Sequence, residues 1–134
     1  MIASTGCSTF NRDWKRAAGS PSPANGDGLI GRWEGNWKSD ANGHTGHLRC
    51  LMTNTRTNYM ARFHANFWKI LFFNYAVPLQ VKQQDGAWQF SGEANLGWYA
   101  GGRYEYQGTA TSTNFHATYR AKSDHGTFDM IRPK

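Results

Sequence analysis

The chain has 134 residues, of which 15% are aromatic, 15 are glycine and only 18% are charged. That length holds one domain with a real core, and the aromatic, glycine-rich balance suits an all-β domain with tight turns better than a helical bundle. Lysine and arginine outnumber acidic residues 15 to 9 for a formal charge of +6, but they are scattered singly, which argues for a solvated basic surface and against nucleic acid as a partner.

Residues 1–28 contain Gly19, Pro21, Pro23, Gly26 and Gly28 among small and polar side chains, with no periodicity beyond a short helical stretch at 11–18. They read as a flexible leader or tether, and 29–134 as the folded domain. No apolar run reaches the roughly eighteen residues of a transmembrane helix. Ser4-Thr5-Gly6-Cys7, followed by Ser8 and Thr9, resembles the end of a bacterial lipoprotein signal peptide, in which small residues precede the cysteine that takes the lipid. The resemblance implies a lipid on Cys7, a membrane as partner and a place in the bacterial cell envelope, periplasmic and lipid-anchored. It departs from the pattern at Ser4, where an aliphatic residue is usual, and the charged and apolar regions expected upstream are absent from residues 1–3. The other reading is an ordinary cysteine in a disordered leader.

The first strand is Gly31-Arg32-Trp33-Glu34-Gly35-Asn36-Trp37-Lys38-Ser39, in which small or aromatic residues alternate with polar ones. This period of two marks a strand with one buried face. Asn42-Gly43 favours a two-residue type I′ turn, which sets Trp37 opposite Leu48, Gly35 opposite Cys50 and Trp33 opposite Met52. A turn over 54–57 then opposes Cys50 to Ala61, Leu48 to Phe63 and His47 to His64. Cys50 faces inward as a small hydrophobe.

The fourth strand, 70–82, alternates Leu71, Phe73, Tyr75, Val77, Leu79 and Val81, and Asp85-Gly86 turns it back onto Trp88, Phe90, Gly92 and Ala94. Val81 then faces Phe90 and Val77 faces Ala94, with Pro78 predicting a weak point in the ladder. A glycine-rich loop at 96–102 holds Trp98 and Tyr99. The remaining strands, 103–110, 114–121 and 126–132, present Tyr104, Tyr106 and Gly108, then Phe115, Ala117 and Tyr119, then Phe128 and Met130.

One face of all eight predicted strands is apolar, and no helix is long enough to cover it. An open sheet would leave that face wet and two edges bare, whereas burial of each large inner side chain is worth about 1.5–3 kcal/mol before entropy. The expected fold is therefore an all-β, eight-stranded antiparallel up-and-down barrel. Small residues interspersed along the inner face suit its taper, and its polarity is the reverse of an outer-membrane barrel.

Gly31-Arg32-Trp33 at the head of such a meander resembles the G-x-W signature of lipocalins and their calycin relatives. In that family an arginine near the end of the last strand packs across the signature tryptophan, and Arg132 has the matching position. The family's second motif is not evident, and Trp37 is extra. The resemblance implies a ligand-binding mouth at the end opposite Trp33, where the loops at 40–43, 68–69, 96–102 and 122–125 gather. Trp68, Trp98 and Tyr99 would rim it.

The candidate interior wall is Trp37, Phe63, Tyr75, Phe90, Tyr104, Tyr106 and Tyr119. An eight-stranded barrel either is filled by its side chains or holds one small ligand, and so many aromatics fit both. His47 and His64, as cross-strand neighbours beside Arg49 and Arg62, make a poor metal pair; His44 and His125 sit on mouth loops. No metal, cofactor or catalytic residue is assigned, because Glu34, Glu93, Glu105 and Asp129 face outward and no nucleophile has a partnered base. The expectation is a non-catalytic envelope barrel that binds an apolar or aromatic small molecule. The alternative is a structural or partner-binding envelope lipoprotein with a fully packed barrel.

Overall fold

Eight strands carry the alternating pattern: β1 (Gly31–Ser39), β2 (Thr45–Asn54), β3 (Tyr59–Phe67), β4 (Leu71–Gln84), β5 (Ala87–Asn95), β6 (Arg103–Ala110), β7 (Asn114–Arg120) and β8 (His125–Ile131). Each pairs antiparallel with the next, and β8 returns to β1, so the sheet closes into the expected up-and-down barrel. The structure, a computed structural model, describes residues 3–19, 28–54, 59–67, 71–95 and 102–133. Trp68, Trp98 and Tyr99, expected at the mouth, lie outside the described residues.

The inner and outer faces follow the predicted parity, but the registers of the first two hairpins do not. Trp33 lies opposite Cys50, Gly35 opposite Leu48 and Trp37 opposite Gly46, a shift of two residues from the expected pairing. The cause is Ser39. Its buried hydroxyl accepts the N–H groups of Ala41 (3.2 Å) and Asn42 (3.3 Å), and the N–H of Gly43 donates to the Ser39 carbonyl (2.9 Å). The turn thus begins at Ser39 and spans four residues, 40–43, with only Gly43 at positive φ (78°). Asp85-Gly86, by contrast, makes the expected tight turn, with φ of 54° and 80° as a type I′ turn requires.

The same two-residue shift recurs between β2 and β3, where Leu48 faces Ala65, Cys50 faces Phe63 and Met52 faces Ala61. The observed registers set a bulky inner side chain against a small one at each of these positions. The expected pairing put Leu48 against Phe63 and Cys50 against Ala61, which crowds one level and hollows the next. A closed barrel of eight strands has little room for such imbalance. Between β4 and β5, Val81 faces Phe90 as expected, and the ladder stops at Leu79 and Gly92, so the weak point falls at Pro78 and Val77 does not pair with Ala94.

The leader also differs from its reading. Residues Ala3–Gly19 form a helix, α1, longer than the predicted 11–18 stretch, and it packs on the outer wall of the barrel. Phe10 and Trp14, one helical turn apart, stack on each other at 5.7 Å, and Phe10 is only 2% exposed. Thus at least 9–19 is a docked helix and not a flexible tether.

Candidate functional site

The closed end of the barrel is built around Trp33. Its indole is fully buried, and its N–H donates to the Leu29 carbonyl at 3.0 Å. The Arg132 guanidinium lies 3.9 Å from the ring centroid and donates to the carbonyls of Arg32 (2.9 Å) and Gly28. One side chain therefore covers the indole face and also bonds two carbonyls at the entry to β1. Phe115 packs beside Trp33 at 5.5 Å and against Phe90 at 4.8 Å. Phe90, a candidate wall residue, belongs to this sealed half with Leu79, Met52 and Cys50. Cys50 is a buried free cysteine whose thiol pKa burial pushes well up.

The other half is different. The turns at 40–44 and 121–124 lie at the end opposite Trp33 and Arg132, as antiparallel up-and-down topology demands. Below them a ring cluster runs across the interior: Phe63 stacks on Tyr75 at 5.3 Å, Tyr106 on Tyr104 at 6.3 Å, and Tyr119 meets Phe128 at 5.2 Å. Burial is uneven along the inner face: Ile30, Tyr59 and Val81 near the closed end are partly buried, and Phe63, Tyr106, Tyr119 and Phe128 in the ring cluster are buried. Trp33, Leu48, Cys50, Met52 and Val77 have no exposure, whereas Trp37, Tyr75, Ala94 and Tyr104 on the same inner face are only partly buried. Trp37 also has a structural task, since its N–H donates to the Asn66 carbonyl at 2.8 Å and its ring lies over Gly46.

The Ser39 hydroxyl donates to Asp124 Oδ1 at 2.5 Å, and the Tyr119 hydroxyl reaches Asp124 Oδ2 at 3.4 Å. Burial raises the pKa of the Tyr104 and Tyr119 phenols, and the Asp124 carboxylate adds to both shifts. Tyr75 is pushed up further, chiefly by burial and then by Tyr106. These phenols keep their protons at neutral pH and act as hydrogen-bond donors. Ser39 and Asp124 were not among the candidate residues; Ser39 is legible in retrospect as a polar residue on the inner face at the last position of a strand.

No protein-family model, curated protein or solved structure matches this chain.

The histidines are placed otherwise than expected. His64 lies opposite Arg49, and His47 is not its cross-strand partner. His47 pairs instead with Glu34 (2.7 Å) and His116 with Asp129 (2.6 Å) on the outer wall, while His125 at the mouth stands 4.0 Å from Asp40. Among the described residues no three His, Cys, Asp or Glu side chains converge as metal ligands do. Glu93 and Glu105, also on the outer face, pair with Arg103.

The wall under α1 carries chemistry that the strand pattern does not announce. Arg49 stands 5.0 Å from the Phe10 ring and 5.1 Å from Trp14; Arg62 covers Phe10 at 5.7 Å, and Arg32 covers Trp14 at 5.3 Å. Arg62 bonds Asp13 at 2.6 Å and Arg49 bonds Asn11 at 2.9 Å. The Arg62 hydrogen bond holds the Asp13 carboxyl below its ordinary pKa. His64, beneath Phe10, is 4% exposed and contacts Asn74 at 2.5 Å. The available signal was Phe10 and Trp14 at a spacing of four, an aromatic pair on one helical face. Cys7 lies in this helix, one turn before Phe10, and its side chain is outside the described ones.

Proposed function

We propose that this protein is a lipocalin-like, non-catalytic barrel of the bacterial cell envelope that takes an apolar or aromatic small molecule into the mouth half of its interior. The observation that carries the reading is the set of inner-face residues toward the mouth that are only partly buried, Trp37, Tyr75, Ala94 and Tyr104, above the fully buried Trp33. A small ligand needs a rigid floor and an accessible upper wall, and these residues would supply the two. The lipocalin kinship is supported by Gly31-Arg32-Trp33 and by the cation–π seat of Arg132 on Trp33. The envelope address and a lipid on Cys7 rest on the motif from Ser4 to Cys7.

Titration with the neutral probe N-phenyl-1-naphthylamine tests the binding clause. Saturable uptake with quenching of tryptophan emission is expected, and Ala94→Trp, which fills the accessible wall, should weaken it by at least about tenfold. Uptake that does not saturate, or that ignores Ala94→Trp, would overturn it. Membrane fractionation of the wild type against Cys7→Ser tests the anchor.

A second reading has its own support. Ring contacts from Phe63 through Tyr106 to Phe128 are continuous, with centroids 6.2 Å and 5.8 Å apart. A barrel filled by these rings would be structural and would meet a partner through its outer face. A stoichiometric partner recovered from membranes, with no probe uptake, would favour it.

A further inference from the structure

One atom in the ring cluster is out of keeping with a finished core. The Tyr106 hydroxyl is sealed from solvent, on a residue only 3% exposed, and makes no hydrogen bond. Tyr75, whose ring centroid is 6.4 Å away with the planes inclined by 24°, directs its hydroxyl toward the Tyr106 oxygen, as a hydrogen-bond donor would, without reaching the geometry of a properly formed bond. Leaving a buried phenol unsatisfied costs the full desolvation of its hydroxyl, and buried polar side chains that lack a partner are uncommon in native folds. Phenylalanine would fill the same space without that cost.

The surroundings restrict what satisfies it. Burial keeps the protons on Tyr75 and Tyr106, so both phenols present O–H donors. A carbonyl oxygen, with two lone pairs, can accept from both. Asp124 is the only charged group whose field reaches Tyr104 and Tyr119 among the described residues, and it is negative. An anionic group placed beside Tyr104 and Tyr119 would meet the Asp124 carboxylate. The rings themselves favour an apolar body stacked against them.

Resting on the reading of the mouth half as a ligand site, we infer that the ligand is a neutral apolar molecule bearing a carbonyl oxygen, received between the hydroxyls of Tyr106 and Tyr75. This assigns Tyr106 as the residue that sets specificity and Tyr75 as its helper. The aromatic wall supplies affinity that does not discriminate between ketone and hydrocarbon; the phenol pair supplies the discrimination, because a hydrocarbon leaves both donors unsatisfied.

Matched pairs that differ only in a C=O for a CH2 test the assignment: acetophenone against ethylbenzene, and 2-acetylnaphthalene against 2-ethylnaphthalene. Affinities are measured by displacement of N-phenyl-1-naphthylamine from the wild type, Tyr106→Phe and Tyr75→Phe. The ratio of ketone to hydrocarbon affinity should fall about tenfold in Tyr106→Phe and by a smaller factor in Tyr75→Phe, with hydrocarbon binding nearly unchanged. A ratio that survives Tyr106→Phe overturns the inference, and so does tighter binding of 2-naphthoate than of the ketone. Hydrocarbon binding with no loss of ratio sinks only the carbonyl clause. Binding of neither member of a pair by the wild type, with no probe uptake to displace, sinks the ligand site itself. The melting temperature of ligand-free Tyr106→Phe gives an independent readout: a core tyrosine with a satisfied hydroxyl loses stability on this change, whereas an unsatisfied one holds or gains.

Discussion

Phe10 of α1 lies flat on His64 of β3, with ring centroids 5.4 Å apart and planes inclined by 21°. This stack joins the helix to the barrel, and it explains why a histidine at an outer-face position is only 4% exposed. Around it stand Arg49 and Arg62, with His47 near enough to matter and Asn74 bonded to the imidazole. Removal of water from His64 is the largest influence on its pKa and lowers it; Asn74 opposes this, while Arg49 and His47 act in the same sense as burial.

A pH dependence follows. The unfolded chain binds a proton on His64 near the ordinary value of about 6.5, and the folded chain resists it. Stability is therefore fully present above that value and falls as the pH drops through it, levelling off below the lowered folded pKa. Urea midpoints between about pH 5 and 8 should show this decline in the wild type, and His64→Gln should flatten it. An unaltered profile in His64→Gln would refute the assignment.

Phe10→Ala should release α1 without unfolding the barrel. A buried phenylalanine is worth about 3–5 kcal/mol on truncation, and here the loss falls on a helix whose other ties include Arg62 to Asp13, Arg49 to Asn11, and Arg32 and Arg49 over Trp14. Trypsin should then cut at Arg12, Lys15 or Arg16 many times faster, while the remaining barrel keeps its strand signal in circular dichroism. Equal cleavage rates in mutant and wild type would show that α1 does not depend on this contact.

Arg132→Met should cost about 2–4 kcal/mol, the sum of a desolvated cation–π contact and carbonyls left without a donor. Arg132→Lys should recover less than half, since a point-like ammonium cannot cover the indole and reach both the Arg32 and Gly28 carbonyls. Denaturant melts followed by tryptophan emission measure both.

Cys50 should be silent toward thiol reagents. Its side chain has no exposure, and burial holds the thiol protonated. In a Cys7→Ser background, reaction with an aromatic disulfide should proceed at the rate of global unfolding and rise with urea. A fast native-state reaction would mean that the lower barrel opens locally.

The strand pattern and the inner and outer faces were readable from the residues alone, and the seat of Arg132 on Trp33 from the resemblance to lipocalins. Alternation is a local property, and burial of one face writes it into every strand. Register was not readable, because a shift of two residues preserves parity. The choice between Trp37 facing Leu48 and Trp37 facing Gly46 was made by the hydrogen bonds of Ser39 and by the need to set large side chains against small ones in a closed space. Nor did the pattern reveal that α1 would dock, since its anchors are arginines contributed by three strands distant in the chain. The sequence by itself determined a closed aromatic barrel. Only the tertiary structure decided which aromatic rings are sealed, which meet the mouth, and which hydroxyl is left with nothing to bond, because each depends on how the strands fill one shared volume.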